Sequence, residues 1–574
     1  MTGVFPESTE ALMKWEWSDF APHYQALIET QLSSENLQSW LAGWSRISEH
    51  LDELYNRLYV AHSAYTADHE AEARFDHFMD TIFPPAMSAE QALKEKLVQS
   101  GLEPAGFEIP LRNMRSEAEL FRKENLPLQA REQKLCNEYE KILGAQTVEW
   151  NGQELTLLKL LTETQSAPRD VREKAWRMGA EVALRDREKT NQKWVELLDL
   201  RLQMAANAGK PGYRDYRWQQ FNRFDYTPAD CKRFHKAIEE VVVPASKRVY
   251  ERHRQKMGVE SIRPWDITRD PLGRLPIAEP PLKPFATIEE LKEKASAVFH
   301  HVDPQLGEYF DTMAREGFLD LANRKNKASG AYCTTYAVSK RPFIFANAIG
   351  THNDVQTTLH ESGHAFHAFE SFHLPYLPQT QTPLEFAEVA SMGMELLATP
   401  YLTKDQGGFY TPQEAARAIV EHLDDGLVFW PYMATIDAFQ HWVYENPEKA
   451  KDPANCDAAW TEQWQRFIPA EDWSGLEDVL ACGWHRKHHI FTLPFYYIEY
   501  GLAQLGAVQV WANALKDQAS ALENYRKALR LGGTASLPKL YEAAGARLAF
   551  DAETLKRAVD LIEEQTDKLL TQIG

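Results

Sequence analysis

From Glu10 to about Lys193 the chain sets long charged stretches against Leu, Phe, Trp and Tyr that recur at three- and four-residue intervals, the period of helices with one buried face. Phe83-Pro-Pro85 and Glu108-Ile-Pro110 interrupt that rhythm, so antiparallel helices broken at those points are expected. Glu149 to Thr156 contains an Asn-Gly pair and reads as a small hairpin. After a proline-rich loop from Pro276 to Pro284, Thr287-Ile-Glu-Glu290 has the form of a capping box that opens another helix. Ala331 to Val338 and Phe343 to Asn347 flank a Ser-Lys-Arg-Pro turn and read as a short hairpin. Helical spacing resumes from Ala519 to Ile573. No Pro/Gly/Ser-rich linker, low-complexity segment or tandem repeat divides the 574 residues, which predicts a mainly α fold with a small β-sheet and two closely packed regions.

Composition narrows the function classes. A net charge of -20 spread over many helices argues against a phosphate-binding surface, so nucleic acid is not an expected partner. No secretory leader pattern opens the chain and no apolar run approaches a membrane span, so no membrane partner is expected. Cys136, Cys231, Cys333, Cys456 and Cys482 are scattered without paired spacing, which points to reduced thiols and a cytoplasmic setting.

Chemistry enters with His360-Glu-Ser-Gly-His364, a His-Glu-x-x-His sequence. Two histidines four apart on a helix share a face and can reach one Zn²⁺ at about 2.0–2.1 Å. Glu361 then lies beside the metal without ligating it, where it can take a proton from water and pass it to a departing amine. In a chain of this composition the five letters arise by chance roughly once in twenty, so context decides. Asp354 as N-cap, with Val355, Leu359 and Phe366 in helical rhythm, places the motif in a capped and partly buried helix. Gly363 costs such a helix about 1 kcal/mol and is explained if another backbone packs close against it.

A hydrolytic zinc site needs one more protein ligand and an open position. A third His six residues after His364 is excluded, because Glu370 stands there. Pro383 to Leu397 offers Glu385, Glu388 and Glu395 on nearly one helical face, and spacing alone does not choose among them. Two acids on one buried stripe repel unless one binds metal and the other braces a ligand, so Glu388 is assigned to the metal and Glu395 to orienting an imidazole. His367 shares the face of the two histidines, but three consecutive turns cannot wrap one tetrahedral ion, which gives it a packing or bracing role.

These residues resemble the thimet oligopeptidase and oligoendopeptidase F family of zinc peptidases. The likeness runs through Gly350 to His367 and Glu388-Val-Ala-Ser. It continues in Arg214-Asp-Tyr-Arg217, Arg223-Phe-Asp-Tyr-Thr-Pro228, Arg263-Pro-Trp-Asp266, Gly330-Ala-Tyr-Cys333, Arg341 to Asn347 and Pro494 to Gly501. These last segments look like the bacterial oligoendopeptidase F branch, and coverage extends from about residue 195 to the C-terminus. The resemblance implies a large helical metallopeptidase fold with a deep substrate channel. It divides the chain into an N-terminal helical region, 1–195, forming one channel wall, and a catalytic zinc-peptidase domain, 196–574. It implies one Zn²⁺ per chain on His360, His364 and Glu388. It also implies a segment opposite the metal whose phenols stabilise the oxyanion, and that role maps onto His489, Tyr496, Tyr497 and Tyr500. Crowding of His485, His488 and His489 leaves the register open; His489 is favoured, with Tyr497 and Tyr500 as the oxyanion pair and Tyr496 contacting substrate. An extended peptide could add to the strand edge near Gly330 and Ala331, both small enough to permit it.

The function expected is a zinc-dependent oligoendopeptidase that cuts internal bonds of short unstructured peptides, with Glu361 assisting attack by metal-activated water. A zinc carboxypeptidase or dipeptidyl carboxypeptidase would use the same chemistry but needs a cation to hold the substrate C-terminus. A noncatalytic zinc scaffold is the reading from another class, and the complete set of base and ligands argues against it.

Overall fold

The computed structural model describes residues 5, 6, 8–268 and 275–573. The fold is mainly α, with one two-stranded and one three-stranded sheet among the described residues. The chain forms two compact units, each assembled from three segments: Met1–Ala118, Lys283–Ala415 and Gly506–Leu548 in the first, and Glu119–Leu282, Ala416–Leu505 and Ala549–Gly574 in the second. Residues 1–195 are therefore divided, packing with the first unit through Ala118 and with the second from Glu119.

In the first unit, the helices Trp17–Glu29, Leu37–Ala64 and Phe83–Ser100 close on a core that includes Phe20, Trp40, Trp44, Ile47, Leu51 and Leu93. The break expected at Phe83-Pro-Pro85 does not occur. A π-helical turn, Phe78–Ile82, joins His69–His77 to Phe83–Ser100. Widening the turn just before Pro84 and Pro85 removes the demand for the amide donors that proline lacks, so the chain stays helical. Pro244 follows a second such turn, Ile238–Val242, in the other unit.

The expected hairpin pairs Tyr332–Tyr336 antiparallel with Arg341–Ala348, and Arg341 and Pro342 already belong to the second strand. The sequence reading missed Leu319–Ala322, which joins the sheet parallel to Arg341–Ala348. Arg341–Ala348 is thus the central strand, and Tyr332–Tyr336 is an edge. Part of that edge is covered by the helix Leu37–Ala64: Asn56 Nδ2 donates to Thr335 O at 3.1 Å and Thr334 Oγ1 donates to Asn56 Oδ1 at 2.8 Å.

From the central strand the chain enters the helix His352–Ser371, which carries the His-Glu-x-x-His residues. Its N-cap is Thr351, not Asp354. Asp354 sits three residues in and closes a capping box, and its Oδ2 also accepts the amides of Ile349 and Gly350, both at 2.9 Å. Thr287 likewise caps Ile288–Val302 through the Glu290 amide, while the Glu290 carboxylate accepts from Ala286. At the far end of this helix, the buried carboxylate of Glu370 is gripped by Arg526 and Arg530, each at 2.7 Å.

The next helix, Leu384–Leu397, lies directly against His352–Ser371. A Cβ on Gly363 would fall 2.6 Å from both Ala390 O and Ser391 Cα. Only glycine allows this approach, and Tyr525 Oη, donating to Ala390 O at 2.6 Å, buttresses it from behind. In the second unit, Thr147–Trp150 and Gln153–Thr156 form the expected hairpin around Asn151 and Gly152, whose φ angles of 51° and 77° match an Asn-Gly turn.

Gly363→Ala tests the contact. Helix propensity alone would favour alanine by about 1 kcal/mol, but overpacking two backbones is expected to lower unfolding stability by about 1–3 kcal/mol or more. Urea unfolding reads the difference, and a variant as stable as the parent would show that the helices can part freely.

Candidate active site

His360 and His364 present their Nε2 atoms to Glu388 Oε2 at 3.4 and 3.9 Å, and these three ligand atoms converge as a group able to hold one ion. Four ligands at 2.0–2.2 Å around a tetrahedral ion are separated by about 3.3–3.6 Å, so the donor set fits Zn²⁺ with little adjustment. Glu388 is the acid that joins the histidines. Ser391 Oγ donates to its Oε2 at 3.1 Å, a support one helical turn away that the sequence reading missed. Glu395 Oε1 lies 2.6 Å from His360 Nδ1, which orients the ring and leaves Nε2 toward the metal seat. Glu385 is not among the converging groups, and its charge acts on the Tyr541 phenol.

Glu361 is buried next to this cluster, and the backbone of Cys333 on the edge strand favours its charged form. Burial pushes its carboxyl up to about 7, with Glu388 and Glu395 adding to the rise and His360 and the Cys333 amide opposing it. A divalent cation in the seat would pull it back down. Burial disfavours charge on His360, yet Glu388 and Glu395 outweigh it and hold that imidazole well above its ordinary value. His364 lacks such close support, and burial drops it to about 4. Glu388 is held at about 2: burial opposes its charge, but His360 and His364 dominate. Glu388 and Glu395 thus press negative charge onto one imidazole, an arrangement whose charge a bound cation would balance on loading. His367 is buried and neutral, pushed to about 3 by desolvation, with Nε2 beside Thr382 Oγ1 at 3.2 Å. Burial and the Glu361 charge hold the Cys333 thiol well above its usual range, so reactive thiolate is scarce there. Gly330, exposed and with φ 93°, and Ala331 precede the edge strand, and a Cβ on Gly330 would meet open space.

Two other groups of ligand-type side chains occur among the described residues. His300, Glu308 and Asp311 lie toward the surface, with His300 Nε2 bonded to Asp311 at 2.8 Å. Cys231, Asp437 and His441 are deeply buried, but Arg214 Nη1 stands 3.2 Å from His441 Nδ1. A guanidinium can only donate, so the ring proton of neutral His441 sits on Nε2, the atom an ion would need. The cluster is a hydrogen-bonded network in which Asp437 takes His235 at 2.8 Å.

In the second unit, the segment from His485 to Tyr500 gathers His489, Tyr496, Tyr497 and Tyr500. His489 stacks on Tyr496 with centroids 5.5 Å apart and meets Tyr497 edge-on at 4.8 Å, while Tyr500 lies edge-on to Tyr496 at 5.2 Å. His488 is exposed, with Nε2 3.6 Å from Glu140. His485 is buried against Trp484. Of the three crowded histidines, His489 is the one that joins the tyrosines. Tyr496 and Tyr497 precede the helix Ile498–Ala514, and only Tyr500 lies within it.

Comparison with known proteins places this arrangement in context. The sequence profile of Peptidase family M3 matches residues 162–560. Oligopeptidase PepF of Bacillus subtilis (strain 168) is 24% identical over 46% of this chain and 39% of its own length. The chain thus spans about two fifths of that relative. A crystal structure of an oligoendopeptidase F superposes with a TM-score of 0.85 at 26% identity, covering 96% of this chain and 97% of that one. PZ peptidase A in complex with an inhibitor gives 0.84 at 27%, covering 99% and 98%. No helix among the described residues is long and apolar enough to cross a membrane.

The buried His485 generates a pH test. Desolvation, aided by Arg187, lowers it from 6.5 to about 3. Its folded value lies below its unfolded one, so the unfolded chain binds the extra proton and stability is lost as pH falls below about 6.5. His485→Phe is expected to flatten the acid slope of unfolding free energy by about 1.4 kcal/mol per pH unit between pH 6 and 5. Denaturant unfolding across that range measures it, and an unchanged slope would count against a buried neutral ring.

Proposed function

Because this chain belongs to peptidase family M3 and is similar to oligoendopeptidase F in sequence and fold, we propose that it is a zinc-dependent oligoendopeptidase hydrolysing internal bonds of short unstructured peptides. A reducing cytoplasm is the setting this reading assigns. The observation that carries it is the convergence of His360, His364 and Glu388 beside the buried carboxylate of Glu361. Three protein ligands leave a coordination position open for water, the pattern of hydrolytic rather than structural zinc. A bound divalent ion would supply Lewis acidity to water and to the scissile carbonyl.

The remaining steps belong to the chain's own residues. Glu361 takes the proton from the attacking water and returns it to the departing amine, its proton affinity raised for both tasks by burial. Glu395 keeps His360 in the tautomer with Nε2 available as a ligand, and Ser391 fixes the liganding oxygen of Glu388. Tyr497 and Tyr500, with His489, are assigned to the oxyanion on the strength of the family motif, because a phenol that donates only as negative charge develops lowers the barrier without tightening substrate. Gly330, Ala331 and Tyr496 are assigned to the peptide backbone.

The test is mass mapping of cuts in a peptide library of graded length, run on the parent and on Glu361→Gln with and without chelator. Internal cuts in short peptides, abolished by chelator and restored by Zn²⁺, are expected. Glu361→Gln should retain one zinc per chain and lose turnover by at least about 10²-fold. Trimming only from a free C-terminus would replace endopeptidase with carboxypeptidase action, and robust cleavage by Glu361→Gln would remove the base assignment.

A further inference from the structure

The turn that bears the tyrosines is built around an unfavourable residue. Phe495 is fully buried and adopts φ 66°, in the left-handed region where an aromatic side chain is strained. Its peptide groups are clamped from two directions: its N–H donates to Gln440 Oε1 at 2.8 Å, and its carbonyl accepts from Arg223 Nη2 at 2.7 Å. The same nitrogen of Arg223 donates to Glu499 Oε1 at 2.6 Å, one residue before Tyr500. The guanidinium and the Glu499 carboxylate are both almost completely buried, at 1% and 2% side-chain exposure, and Arg223 lies over the rings of Trp218 and Phe221 at 4.8 and 4.5 Å.

We infer that Arg223, with Gln440, is a positioning residue: it holds Phe495 in its left-handed conformation and so sets the direction in which Tyr496 and Tyr497 leave the turn. The inference deepens the proposed function and rests on the tyrosines serving the reaction. A peptide released from the left-handed region swings the next residue to another face, and a donor displaced by about 1 Å can cost about 10²-fold in rate. Neighbouring tethers share the design. Arg201 donates to the carbonyls of Ile490 and Phe491, and Arg217 donates to that of Pro494 at 3.3 Å, so successive carbonyls of the segment are fixed from outside it. Arg223 is singled out because its carbonyl belongs to the strained residue itself.

Removing Arg223 alone strands a buried carboxylate, so the first variant is Arg223→Met/Glu499→Leu, which replaces the ion pair with apolar groups of similar size. It is compared with Tyr497→Phe/Tyr500→Phe and with the combination of all four changes, recording kcat, KM, zinc content and Tm. The ion-pair replacement is expected to lower kcat at least about tenfold with KM within about threefold and zinc retained. In the background lacking both phenols it should lower kcat by less than about threefold, since the clamp then has nothing to aim. An equal loss in both backgrounds, or an unchanged kcat, overturns the inference. If the replacement does not fold, Gln440→Met, which removes the acceptor on the other side of Phe495 without touching a charge, goes through the same cycle with the same expected outcome. Gln440→Glu should restore activity, and full activity of Gln440→Met overturns the inference. Wild-type turnover by Tyr497→Phe/Tyr500→Phe would instead remove the oxyanion reading, a result visible without any Arg223 variant.

Discussion

The proposed metal seat depends on a contact that involves no metal and no charge: the backbone of the helix His352–Ser371 meeting that of Leu384–Leu397 at Gly363. Two histidines four apart define one face of a helix but not a site, because a third ligand must arrive from another element at hydrogen-bond range. The missing Cβ of Gly363 lets Ala390 and Ser391 approach, and one turn before them Glu388 reaches 3.4 Å from His360. Any larger residue would move the whole ligand-bearing helix outward, and a carboxylate cannot stretch to compensate.

That closeness creates an electrostatic problem that the surrounding polar contacts solve. Glu361, Glu388 and Glu395 are all buried in one small volume, where like charges repel and desolvation is severe. Each has a separate means of support. Glu388 faces two imidazoles and a serine hydroxyl, Glu395 holds the outer nitrogen of His360, and the charge of Glu361 is favoured by His360 and by the edge-strand backbone at Cys333. The environments of Glu361 and Glu388 separate the proton affinities of these two acids, holding Glu388 low while Glu361 is pushed upward. The proposed ligand and the proposed base are thus distinguished by their neighbours, not by residue type.

Much of this was legible in the sequence, and the limit has a physical form. Helix faces follow from spacing, so His360, His364, Glu361 and the candidate acids could be read directly. Gly363 advertised a close approach because a glycine inside a helix demands one. Spacing could not separate Glu385 from Glu388, since both lie near one face, and only the path of the second helix brings Glu388 rather than Glu385 to the two histidines. The short strand Leu319–Ala322 escaped notice because a parallel partner about twenty-five residues away leaves no local mark. Pro84 and Pro85 misled for a related reason: a π turn satisfies proline through geometry that residue identity does not reveal.

The tethers of the tyrosine turn were illegible for a deeper reason. Arg217 and Arg223 stood in motifs whose likeness to the oligoendopeptidase family was plain, yet nothing in those motifs names their targets, which are backbone carbonyls of Pro494 and Phe495 some 270 residues later in the chain. A side chain that bonds another side chain constrains both residue types. One that bonds a carbonyl constrains only its own end, because every residue offers the same acceptor. The two halves of the proposed chemistry are therefore secured differently. The proposed metal seat pairs side chains with side chains on adjacent helices, a pattern that composition and spacing can betray. The tyrosine turn is held by arginines gripping main chain, with a left-handed Phe495 at its centre as the one local sign that something outside must be holding it.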